Sequence, residues 1–112
     1  MNIIKVKLWR EIPANYTGII EWESGGKWWY KNGWFHRKDG PAVIYSDGDK
    51  EWWLNGICVW DSDFDKLDFT NIIILSKHQH PEYSTIQIWK YIDEDGIHEQ
   101  IIIPGMEEYI FE

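Results

Sequence analysis

Between residues 17 and 60 the chain alternates short apolar, aromatic-rich stretches with glycine-bearing breaks. Ser24-Gly25-Gly26 and Asp47-Gly48 supply the positive φ that tight hairpin turns need, and Asn32-Gly33 and Asn55-Gly56 are the strongest short-range hairpin signal. Asp39-Gly40-Pro41 adds another turn, and Pro41, which has no N–H to donate, ends ladder pairing there. The pattern predicts an antiparallel β-meander over residues 17–60. Beyond it, DSDFDKLDF (residues 61–69) places Trp60, Phe64 and Leu67 at helical spacing behind acidic first-turn residues, which predicts a short helix. Ile72-Ile73-Ile74-Leu75 is a continuous apolar run and reads as a central strand buried on both faces. Residues 86–92 and 97–103 flank Asp93-Glu94-Asp95-Gly96 and should pair as a hairpin. Residues 106–112 fit a last helical turn or an edge strand. The fold class expected is mainly β (α+β), one domain over residues 1–112.

The meander contains an internal repeat. Residues 20–33 align with residues 43–56 at a shift of 23, with Gly25/Gly48, Lys27/Lys50, Trp29/Trp52, Asn32/Asn55 and Gly33/Gly56 identical. Trp22/Tyr45 and Tyr30/Trp53 keep a ring. Two copies of a tryptophan-bearing hairpin unit therefore occupy the first half, and residues 61–112 lack the repeat.

Composition sharpens the picture. Nine of the 112 residues are Trp and 17% are aromatic, so a few rings can build a core while others stay exposed. The lone Cys58, between Ile57 and Val59, excludes an internal disulfide and a CxxC pair, and reads as a small buried hydrophobe. No membrane-length apolar run and no signal-like start are visible, so a cytoplasmic protein is expected. The net charge of −8 is divided unevenly: residues 1–60 carry eight Lys/Arg against seven Asp/Glu, residues 61–112 three against twelve. The acidic half would repel nucleic acid and anionic membranes and attract a basic protein surface.

The segment WWYKNGWFHRKDGPAVIYSDGDKEWWLNG (residues 28–56) resembles the MORN-type hairpin repeats in the variant W-x-x-NG-x-x-HR-x-DGPA. His36, Arg37, Asp39, Gly40, Pro41 and Ala42 match its distinctive part. The resemblance covers about residues 17–60 and implies a binding scaffold, of a kind found in bacterial and phage proteins, some labelled antitoxin-like. After Asn55-Gly56 the chain has Val59-Trp60-Asp61-Ser62-Asp63 in place of another HRxDGPA, so the array ends at two units.

Candidate chemistry is sparse. His36, Arg37 and Asp39 could form a charged cluster, but at a turn they serve better as a structural motif with Gly40 and Pro41, Asp39 capping the turn and His36 and Arg37 stacking on tryptophan rings. His78, His80 and Glu82 could begin a metal site, yet lack a further ligand and read as solvated. Asp61, Asp63, Asp65 and Asp68 start like a calcium loop, but Lys66 stands at its glycine and Ile72 at its closing glutamate. No nucleophile elbow, phosphate loop or paired-carboxylate motif is present. The expectation is a non-catalytic protein-interaction module without cofactor or metal, with Trp28, Tyr30, Trp34, Trp53, Asp61, Asp63, Asp65 and Asp68 meeting a basic protein, and in its sharper form a small inhibitor of the phage counter-defence or antitoxin kind. A ligand or glycan binder using exposed Trp rings is the alternative.

Overall fold

The asparagine-glycine and glycine turns set the architecture. In the computed structural model, which describes residues 2–61 (for Asp61 the backbone alone) and 73–106, Asn32, Gly33, Asn55 and Gly56 all take positive φ, as do Gly25 and Gly48. That is the backbone twist two-residue hairpin loops require. Between these turns run β2 (Gly18–Trp22), β3 (Lys27–Lys31), β4 (Trp34–Phe35), β5 (Val43–Ile44), β6 (Lys50–Leu54) and β7 (Ile57–Asp61). Pairing is antiparallel throughout this series, with β4 hydrogen-bonded beside β3, and no helix interrupts residues 20–56.

One strand lies outside the sequence expectation. β1 (Ile3–Val6) runs parallel to β2, pairing Ile3 with Ile19 through to Val6 with Trp22, and makes the sheet seven-stranded. A parallel neighbour needs a crossover longer than a hairpin turn. Residues 7–17 supply it, with a 3-10 turn at Trp9–Glu11 whose Glu11 carboxylate accepts the Lys7 and Leu8 N–H groups at 3.1 and 2.8 Å. Val6, Tyr16 and Ile20 form a buried cluster here, with Ile4, Ile12, Trp22, Trp28 and Tyr30 packed against it. On the opposite side of the strands Trp52 and Trp60, cross-strand partners, are buried with their rings 5.2 Å apart.

The chain divides into two compact units, Met1–Arg37 with Pro41–Ser62, and Lys38–Gly40 with Asp63–Glu112. The second holds a three-stranded antiparallel sheet of β8 (Ile73–Gln79), β9 (Gln87–Asp93) and β10 (Gly96–Ile102). The β9–β10 hairpin matches the expectation from the Asp-Glu-Asp-Gly turn. The apolar run before it does not. Among the described residues β8 pairs only with β9, at the edge of the sheet, and Ile73 and Leu75 are 65% and 50% exposed. β9 is central instead: its alternation buries Trp89 and Tyr91 and leaves Lys90 in solvent, which identifies a one-sided core face. Asp61, the first residue of the helix expected over residues 61–69, ends β7 instead, and the rest of that segment and the residues after Met106 fall outside the described residues.

Candidate binding face

Strand alternation turns the repeat into columns. Trp22, Trp28 and Tyr30 of the first unit project from one face of the seven-stranded sheet, since Trp28 sits opposite Ile20 and Tyr30 opposite Gly18. Their equivalents at a shift of 23 are Tyr45, Glu51 and Trp53, and Glu51 shares that face through its pairing with Val43, the partner of Trp28. Phe35, opposite Tyr30, joins the two units. Trp22 and Trp28 meet edge to face at 4.7 Å, Trp28 and Phe35 at 5.3 Å, Phe35 and Trp53 at 5.3 Å. These four rings and Tyr30 are half-buried rather than enclosed. Burial pushes the Tyr30 hydroxyl above the ordinary tyrosine pKa, so it stays neutral at physiological pH.

Into this band the second unit inserts a carboxylate where the first has the Trp28 ring. Glu51 accepts from the Tyr45 hydroxyl at 3.1 Å and from the Trp53 indole N–H at 2.9 Å, both neighbours in its own repeat unit. The two bonds fix the carboxylate among the rings, and a carboxylate has further lone pairs to offer. A flat, cationic group that can stack and pair at once, such as guanidinium, fits that combination.

The turn motif has hydrogen bonds and a ring contact of its own. His36 Nδ1 accepts the Asn55 N–H at 3.0 Å, which ties the end of the first unit to the Asn-Gly turn of the second. The Arg37 guanidinium lies 4.1 Å from the Trp29 ring centroid and donates to the Pro41 carbonyl at 3.1 Å. Asp39 is exposed and Gly40 buried.

Of the residues singled out from sequence, Trp28, Tyr30 and Trp53 come together through Phe35. Trp34 does not join them. It pairs with Lys31, so alternation turns it away from Tyr30; its ring lies against Gly56 and is 62% exposed. Asp61 ends β7, and Asp63, Asp65 and Asp68 lie outside the described residues. Cys58 is half-buried beside the β6–β7 bulge, not enclosed as its apolar neighbours suggested. Phe35, Trp22, Tyr45 and Glu51 were missed, although period-two counting outward from the turns places all four on this face.

In the three-stranded sheet, His98 Nε2 is 2.9 Å from Asp93 Oδ1 and the His98 ring stacks on Tyr91 at 5.3 Å. Partial burial alone would raise the Asp93 pKa, but hydrogen bonds from Asp95 N–H, His98 and Gly96 N–H, with the His98 charge, together hold it below the ordinary value. Asp93 also accepts Asp95 N–H at 2.8 Å, so it works as the cap of the β9–β10 turn. His80 Nδ1 accepts the Glu82 N–H at 3.1 Å. Among the described residues, no group of three His, Cys, Asp or Glu is placed to hold a metal ion, and no helix is long and apolar enough to cross a membrane.

Neither a family model nor a curated protein nor a solved structure matches the chain.

Proposed function

We propose that the chain is a non-catalytic protein-interaction module, and that its aromatic face receives arginine or lysine side chains of a basic partner protein. The observation that carries this reading is Glu51, a carboxylate pinned by Tyr45 and Trp53 within a band of half-buried rings. Aromatic residues are the commonest interface hot spots, and a fixed acceptor beside them selects for cationic side chains. The net charge of −8 favours the same class of partner. The MORN-like resemblance of residues 28–56 fits a scaffold role, and a small acidic inhibitor that occupies a basic groove, of the phage counter-defence or antitoxin kind, is the sharper form of the proposal.

Titrating the protein with an arginine-rich peptide, read by tryptophan fluorescence, tests it. Saturable binding that weakens with salt is expected. Glu51→Gln, which keeps an acceptor for Tyr45 but removes the charge, should weaken it roughly tenfold, since a hydrogen bond to a charged group contributes about 1.5–3 kcal/mol. Equal binding of an acidic peptide, or an unchanged affinity in Glu51→Gln, would refute the reading. Binding of a neutral oligosaccharide in place of the peptide would favour the glycan alternative.

A further inference from the structure

Beside Glu51 the same face opens into a cleft of about 240 Å³, lined by Trp22, Trp28 and Tyr45 together with Ser24, Gly26 and Ser46. Two features keep it open. Gly26 carries no side chain where a Cβ would come within 2.9 Å of the Ile44 carbonyl and 3.6 Å of Trp22, so bare backbone separates Trp22 from Tyr45. Trp22 is set at 64° to Trp28 by ring packing, giving two walls that meet at a corner. Tyr45, 40% exposed, stands as the third wall at the rim.

We infer that this cleft is a binding site for an alkylated ammonium head, a cation carrying methyl groups in place of N–H. Three aromatic side chains line one space, and aromatic rings carry the π-density to which such cations are drawn. Among the described residues no Lys or Arg lines the cleft; the nearest in sequence, Lys27, alternates to the other side of β3 and is 3.5 Å from the Glu21 carboxylate. The Glu51 carboxylate accepts from the Tyr45 hydroxyl and so adds electron density to that wall and negative potential behind it. The degree of alkylation follows from what the walls lack. A primary ammonium has three N–H donors, and among the described residues the cleft's lining offers as acceptors the Ser24 and Ser46 hydroxyls and a Tyr45 hydroxyl already bonded to Glu51. A lysine head would give up hydration without replacement, whereas a trimethylammonium has no N–H to satisfy.

The head has two sources, a trimethylated lysine on a basic partner or a free small quaternary amine. The first rests on the partner reading above; the second does not. The experiment is a titration with tetramethylammonium and with 3,3-dimethylbutanol, the uncharged isostere of choline, following the indole N–H resonances of Trp22 and Trp28. Saturable shifts with tetramethylammonium and at least fivefold weaker binding of the neutral isostere are expected, in line with about 1 kcal/mol for a cation over a ring. Tyr45→Ala, a rim change, should weaken tetramethylammonium about fivefold, and Tyr45→Phe, which keeps the ring but loses the bond to Glu51, should weaken it less. Equal affinity for the isostere, or an unchanged affinity in Tyr45→Ala, overturns the site. A trimethyllysine peptide that binds more tightly than its unmodified form and is displaced by tetramethylammonium assigns the partner source; tetramethylammonium binding without that preference assigns the free amine. Arginine-rich peptide that binds undisturbed while tetramethylammonium shifts nothing would sink this site and leave the interaction module standing.

Discussion

His36 illustrates how one side chain can join two copies of a repeat. Its Nδ1 accepts the Asn55 N–H at 3.0 Å. His36→Ala should therefore lower stability by about 1 kcal/mol, the usual net value of such a bond, as measured by urea denaturation. An unchanged midpoint would mean that the bond contributes nothing to the fold. Arg37 was expected to stack on a tryptophan, and it lies over Trp29. Glu51, by contrast, was invisible as a site residue, because a lone acid between Lys50 and Trp52 reads as a solvated strand position until the repeat register is projected onto a sheet face.

At the scale of elements, the meander was legible because each break carries a residue that tolerates positive φ, and the period of 23 repeats those breaks. β1 was not legible, since parallel pairing through a crossover leaves no local turn signature. β8 was misread because a run of isoleucine does not say whether both faces are covered; only the position of β9 between its neighbours settles that. The two Asn-Gly turns and the Gly48 turn differ in a testable way. A Cβ at Gly48 would meet nothing within 4 Å, whereas at Gly56 it would run into the Trp34 ring. Both positions have positive φ, so each alanine substitution incurs backbone strain of about 1 kcal/mol, and Gly56→Ala adds overpacking of about 1 kcal/mol or more. Thermal unfolding should rank Gly56→Ala below Gly48→Ala, and the difference should vanish in a Trp34→Ala background. Equal losses in the parent background would show that the ring yields freely.

The β9–β10 turn adds a pH dependence. Asp93 titrates below its ordinary 3.8 in the folded chain. A depressed carboxyl contributes stability that is fully present above the unfolded pKa and is lost as pH falls through the lower, folded one. Amide exchange at Asp95 and Gly96 should accelerate, relative to the unfolded-chain rate, as the pH drops below about 3.8, and Asp93→Asn should remove that pH step. A step retained in Asp93→Asn would assign the titration to another group.

For the molecule as a whole, the proposed recognition falls on one face, whose Trp22, Trp28 and Tyr30 rings also pack against the Val6, Tyr16 and Ile20 cluster. Trp52, Trp60 and Trp89 are buried, while Trp22, Trp28 and Trp53 are half-open on the side that carries Glu51. Lys27 faces Glu21, and Arg37 is engaged with Trp29 and Pro41. Indole N–H resonances are well suited to a direct test, because nine tryptophans report from both faces of the seven-stranded sheet and from the second unit. In a titration with an arginine-rich peptide, the account predicts that Trp28 and Trp53 shift most, Trp22 less, and Trp52, Trp60 and Trp89 least. Largest shifts at Trp9, Trp34 or Trp89, or shifts at Trp28 and Trp53 produced by duplex DNA and not by the peptide, would contradict it.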